Sequence, residues 1–114
     1  MQNITDSTQQ LCVKVSEGFE FIFFNQIVYI KADLKHTLVF AMDREKPIQS
    51  LECFSEIVNK LPGKPSFFVC KRSHVISQWH MKKYIKKQRR VITPKGEIII
   101  SKEHVKEFET LYCK

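Results

Sequence analysis

A chain of 114 residues and 13.5 kDa has room for one hydrophobic core, burying ~65% of the surface its unfolded form exposes. Hydrophobic residues at 43% and charged residues at 27% exclude the disordered, collagenous and disulfide-scaffold classes. Nineteen Lys+Arg against twelve Asp+Glu leave a formal charge of +7 and a pI near 9.3. That balance points to a polyanionic partner, nucleic acid ahead of an anionic membrane surface.

No window approaches the ~20 apolar residues of a membrane span, because Glu20, Asn25 and Gln26 interrupt the most hydrophobic stretch, Phe19 to Ile30. The start, Met1-Gln2-Asn3-Ile4-Thr5-Asp6, lacks a basic segment followed by an apolar one, so a cytoplasmic, complete short chain without a signal peptide is expected. Cys12, Cys53, Cys70 and Cys113 form no C-x-x-C pair, and reduced, mostly buried thiols are expected.

In chain order, Met1 to Gln10 reads as a polar lead-in, and Leu11 to Val15 and Phe19 to Phe24 as strands about a turn at Ser16-Glu17-Gly18. The lead-in and first strand, residues 1–15, stand apart in this reading from a domain over 16–114. Ile27 to Ala32 is a strand by its β-branched and aromatic content, Asp33-Leu34-Lys35-His36 a turn, and Thr37 to Met42 the returning strand. After a turn at Asp43-Arg44-Glu45, Pro47 marks an edge position, since proline cannot donate to a ladder. Leu51, Phe54, Ile57, Val58 and Leu61 fall at helical spacing, with Ser50 as N-cap and Glu52 in the first turn. Pro62-Gly63-Lys64-Pro65 ends that helix, and Phe67 to Cys70 reads as a buried strand. His74 to Tyr84 is mixed and reads as short strand and turn pieces. Val91-Ile92-Thr93 and Glu97 to Ile100 form a hairpin about Pro94-Lys95-Gly96, and Ser101 caps a last helix with Val105, Phe108, Leu111 and Tyr112 on one face. The class is mainly β with two short helices.

Enzyme signatures fail: the chain has three glycines in all, no Gly-rich phosphate loop, no G-x-S-x-G and no H-E-x-x-H. The spacing of His36, His74, His80 and His104 announces no metal site, and no cofactor or small-molecule substrate is expected. The charge is informative instead. Lys60, Lys64, Lys71, Arg72, Lys82, Lys83, Lys86, Lys87, Arg89, Arg90 and Lys95 follow one another with no carboxylate between Glu56 and Glu97. A solubilising face usually interleaves both signs, whereas one sign costs self-repulsion that a phosphate backbone relieves through counterion release. No basic amphipathic helix with an exposed apolar face accompanies the run, which disfavours a membrane surface. RNA would draw on the same charge, but the aromatic sheet pattern of an RRM is not evident.

Four blocks in order resemble the LytTR family of bacterial DNA-binding domains. Gln26-Ile27-Val28-Tyr29-Ile30-Lys31-Ala32 is similar to the I-x-Y-I-E/K-A opening strand, followed by Lys35-His36 and Leu38-Val39-Phe40. Ser50-Leu51 with Phe54 and Leu61 resembles the S-L-x-x-(F/L)…L helix. Phe67 to Ile76, containing Lys71-Arg72-Ser73-His74, resembles F-x-R-x-H-R-S-x-I/V-V-N, with Ser77 in place of the closing Asn. Lys95-Gly96-Glu97-Ile98-Ile99-Ile100-Ser101-Lys102 resembles G-x-x-I-P-V-S-R.

The resemblance implies an elongated fold of several small β-sheets with flanking helices, and a regulator whose loops enter successive major grooves of double-stranded DNA. It also implies repeated half-sites and dimerisation on DNA. On this alignment His36 and Arg72 take base-reading positions, the imidazole and the bidentate guanidinium suiting purine edges. Glu103 falls where the family often has Arg; it either accepts from cytosine N4 or caps the last helix, and capping is the favoured reading. Ser101, through its backbone N–H, and Lys102 are placed at phosphate. Lys35, Lys71, Lys86, Lys87, Arg89 and Arg90 complete the expected DNA-binding set. Ser73 is read as bonding local backbone, and Trp79 as packing. The rival function is a protein-interaction module that keeps the fold and only non-specific nucleic-acid affinity.

Overall fold

The computed structural model describes residues 9–114; the expected polar lead-in lies, as far as residue 8, outside the described residues. The central element is a five-stranded antiparallel sheet in the order β5-β4-β3-β7-β6. Its strands are β3 (Ile27–Asp33), β4 (His36–Ala41), β5 (Ile48–Ser50), β6 (Phe67–Lys71) and β7 (His74–Ser77). A hairpin of β1 (Gln10–Val15) and β2 (Gly18–Phe23) packs on one side. A three-stranded sheet of β8 (Lys83–Ile85), β9 (Arg90–Thr93) and β10 (Gly96–Ile99), in the order β10-β9-β8, packs on the other. Each side also receives one helix, α1 (Phe54–Asn59) and α2 (Val105–Tyr112) respectively. The molecule is elongated as a slab rather than a rod, 42 × 39 × 24 Å.

Both faces of the large sheet are covered at its centre, so β3 and β7 are buried on successive residues, whereas β4 and β5 alternate. Ile30, Val39, Ala41, Ile48, Phe67 and Val75 meet Leu11, Val13 and Ile22 of the hairpin and Ile57 of α1. On the other face Tyr29, Phe68, Cys70 and Ile76 meet Val91, Ile98, Ile100 and Phe108. Each fully buried Leu, Ile or Phe contributes about 1.5–3 kcal/mol relative to exposure. Leu11 and Val13 are thus part of the same core as the rest, and β1 pairs directly with β2 across the boundary expected after residue 15.

Three expectations need correction. Ser50 does not cap a helix: it is the last residue of β5, buried opposite Thr37, and its hydroxyl accepts the Glu52 N–H at 2.9 Å. That bond turns the chain, Thr37 Oγ1 donates to the Glu52 carbonyl at 2.8 Å, and α1 starts later, where Glu56 Oε1 accepts the Cys53 N–H at 2.9 Å. Ser101 does not cap the last helix: it precedes a 3-10 turn, Lys102–His104, makes no side-chain capping bond to it, and α2 follows that turn. The thiols are not mostly buried: Cys70 is, Cys12 is half-buried, and Cys53 and Cys113 are exposed. The mixed segment from His74 resolves into β7, which lies between β3 and β6, and β8 on the other sheet. The expected edge position by Pro47 is met, since β5 is the outermost strand.

Candidate nucleic-acid interface

Antiparallel connectivity brings the turns of interest together. The β3–β4 turn holds Leu34 and Lys35, and the β6–β7 turn holds Arg72 and Ser73. Because Lys31 lies opposite His74, and the Ala32 N–H donates to the Ser73 carbonyl at 2.9 Å, both turns project from one end of the sheet. The Ser101 N–H donates to the Cys70 carbonyl at 2.9 Å, which sets the Lys102–His104 turn beside the end of β6. Strands spaced ~4.8 Å apart separate His36 on β4 from Lys71 on β6 by three steps, ~14 Å. Lys35, His36, Lys71, Arg72, Lys102 and Glu103 therefore share one end of the molecule.

The turn 86–89 joins them there. Ile100 N–H donates to the Arg89 carbonyl at 2.7 Å, so the β8–β9 connection lies beside the approach to Ser101. The β9–β10 turn points the other way, where Lys95 Nζ donates to the Arg44 carbonyl at 2.7 Å, between β4 and β5.

The basic run, unopposed in sequence, is partly opposed in space. Lys60 pairs with Glu52 at 2.5 Å, Lys64 with Glu107, Arg90 with Glu97 at 2.6 Å, and Lys86 lies 3.9 Å from Glu109. Arg89 occupies the left-handed region at φ 53° and donates Nε to the Ile100 carbonyl at 3.1 Å. Lys86, Arg89 and Arg90 thus carry structural bonds, while Lys35, Arg72, Lys87 and Lys102 extend exposed, with no carboxylate partner among the described residues.

Three readings change in detail. The Ser101 N–H, expected at phosphate, is taken by Cys70 because the chain leaving β10 continues along the β6 edge, and the Ser101 hydroxyl lies 2.5 Å from His104 Nδ1. Glu103 does not cap through its side chain; it is exposed in the first 3-10 turn, where the backbone bonds close on Ser101 and Lys102. Ser73, read as bonding backbone, has its hydroxyl 3.2 Å from His74 Nδ1.

Sequence reasoning passed over Lys31 and His74. Register sets them directly opposite each other, with Lys71 across from His74 on the next strand. Burial, with the ammonium groups of Lys71 and Lys31 close by, holds the His74 imidazole down at about 4. It is neutral at pH 7 and offers one donor and one acceptor beside two cations. The available signal was the two-residue period of β3, which returns Lys31 to the edge of the turn.

The turn end also carries an anomaly. Leu34 is 99% exposed and sits at φ 54°, a left-handed conformation that costs a non-glycine residue roughly 1–2 kcal/mol.

A family model described as the LytTr DNA-binding domain matches residues 17–112. Among solved structures the fold is similar to the LytTr DNA-binding domain of a putative methyl-accepting/DNA response regulator from Bacillus cereus. That likeness has a TM-score of 0.73 at 23% identity, covering 90% of this chain and 95% of the other. A search of curated proteins found no match. Among the described residues no helix is long and apolar enough to cross a membrane. The matched family binds DNA and is not a catalytic one, and with the model spanning all but the ends of the chain, the protein belongs to the LytTR family of DNA-binding domains.

Proposed function

We propose that the protein is a non-enzymatic transcriptional regulator that reads a specific double-stranded DNA sequence with the turns at one end of its large sheet. The observation that carries this reading is the convergence there of the three turns bearing Lys35 and His36, Lys71 and Arg72, and Lys102 and Glu103. Neither helix suits the major groove as a reader, since α1 has six residues and α2 presents Glu107 and Glu109. Arg72, exposed at a turn tip, supplies the fork that suits guanine O6 and N7, and His36 a second polar reader. Lys35, Lys71, Lys87 and Lys102 supply phosphate contacts, with Arg89 and Arg90 bracing the turn that carries Lys87. The two long dimensions, 42 and 39 Å, are sufficient to span the ~34 Å between successive major grooves on one side of a duplex.

Selection from a random duplex pool, followed by titration of the enriched site and a scrambled control at two salt concentrations, tests the proposal. A site bound ~1000-fold above the control is expected. Weak, equally salt-sensitive binding to every duplex would refute sequence reading and favour a protein-interaction module with the same fold.

A further inference from the structure

Phe19, Phe21 and Phe23 are 62%, 59% and 51% exposed. They occupy alternate positions of β2, so all three rings stand on one face of the hairpin, while Ile22 on the opposite face is fully buried. Their cross-strand neighbours on that outer face are Lys14, Cys12 and Gln10. Phe23 also lines a cleft with Trp79, itself 40% exposed. Isolated exposed apolar residues are ordinary, but a contiguous aromatic stripe on a soluble domain marks a contact surface.

We infer that this stripe is a dimer interface, and that its occupant is the same face of a second copy of the chain. Rings of ~150–250 Å² each, half or more exposed, leave about 350 Å² of aromatic surface per protomer. A two-fold pairing buries about 700 Å² from rings alone, and the flanking Trp79, Cys12 and hairpin backbone take the total to the ~1,000 Å² that separates specific interfaces from casual ones. The spacing favours self-pairing. Rings repeat every ~6.8 Å along the strand, and a second copy in reversed direction presents the same repeat, with Phe21 nearest the axis and Phe19 facing Phe23. Such a contact is isologous and closes at two copies.

Charge argues against the other occupants. Three cations stand around the stripe, and two are neutralised: Arg44, which donates to the Phe21 carbonyl at 3.3 Å, pairs with Glu20 and Asp43, and Lys60, which donates to the Cys12 carbonyl at 2.9 Å, pairs with Glu52, leaving Lys14, with the anion Glu17 at the turn. A nucleic acid stacking on the rings would need a cationic surround that this face lacks. Residues 1–8 offer only Met1 and Ile4 as apolar side chains, too few to cover three rings.

The inference stands apart from DNA recognition and is tested without DNA. Sedimentation of the full chain should show a concentration-dependent monomer–dimer equilibrium. The triple variant Phe19→Thr, Phe21→Thr, Phe23→Thr keeps β propensity, its folding is checked by circular dichroism, and its dimerisation should weaken at least about 100-fold. In a Cys53→Ser, Cys113→Ser background a short bis-maleimide should cross-link the chain through Cys12, which sits opposite Phe21, and adding Cys12→Ser should abolish that product. A wild-type chain monomeric up to about 100 μM, the low end of specific association, overturns the inference. So does a dimer indifferent to the triple variant, which places the contact elsewhere. If the variant instead loses duplex affinity with self-association unaltered, the stripe touches nucleic acid and the inference is wrong, whatever becomes of sequence reading.

Discussion

Replacing Gly96 by Ala puts a Cβ 2.9 Å from Tyr29 Oη, inside van der Waals contact. Tyr29 has little freedom to retreat: it is buried, its ring stacks on Phe40 at 4.3 Å between centroids, and its hydroxyl reaches the Lys95 carbonyl at 3.4 Å. Gly96 also has φ +149°, a region that side chains make costly by about 1–3 kcal/mol. Overpacking adds a term of similar size, so a loss of about 3 kcal/mol is expected, read as a fall of roughly 12 °C in Tm for a domain of this length. Thermal and urea unfolding followed by circular dichroism measure it. The decisive comparison is the same substitution beside Tyr29→Phe, which deletes the clashing oxygen and leaves the next ring atoms 3.7 Å away. The cost should then drop by at least about 1 kcal/mol, the remainder being backbone strain. Additivity of the two changes within ~0.5 kcal/mol would refute the steric reasoning. Since Gly96 begins the strand that leads to the Lys102 turn, the single variant should also weaken duplex binding.

Arg72→Ala should lower affinity for the selected site by about 10–100-fold and relax preference at one base pair, whereas Lys87→Ala should weaken all duplexes alike and reduce the salt slope by about 1; competition titrations at several salt concentrations separate the two. His74 binds a proton below its ordinary 6.5 in the unfolded chain but only below about 4 when folded. Stability is therefore full above pH 6.5 and falls as pH drops toward 4, and urea midpoints should decline across that window more steeply for the wild type than for His74→Gln. Burial pushes the Cys70 thiol up to about 12, and burial with the Glu109 carboxylate raises Cys113 as well, so iodoacetamide should modify exposed Cys53 first in the native chain, Cys113 more slowly, and Cys70 only on unfolding. The Ser77 hydroxyl is buried without a hydrogen-bond partner among the described residues, and Ser77→Ala should be neutral or stabilising by up to about 1 kcal/mol in the same unfolding assay.

Most strands and the hairpin turns were legible because β-branched and aromatic runs are punctuated by turn residues. The first helix was misplaced because Leu51 completes a helical period by coincidence; it is half exposed, and the register of Ser50 against Thr37 decides the local structure. β7 was obscure because a short strand buried on both faces shows no alternation. On β2 the usual inference fails outright: the three phenylalanines that mark the strand face outward. The basic run was legible as charge, but its partial neutralisation was not, since Glu52, Glu97, Glu107 and Glu109 reach it only through the fold. Lys31 and His74 likewise become neighbours of the turn residues only through strand register.

The same bond that sets the Lys102 turn beside β6, from the Ser101 N–H to the Cys70 carbonyl, has a consequence for colloidal behaviour. An outermost strand with open backbone groups templates growth by further strands from other molecules. Here the segment after β10 lies across part of one margin of the large sheet. At the other, β5 is three residues long, follows Pro47, and passes into a bond from the Leu51 N–H to the Lys14 carbonyl at 2.9 Å. Both margins of the large sheet are thereby shortened as templates, so its connections add to the net charge of +7 in opposing fibrillar growth from that sheet.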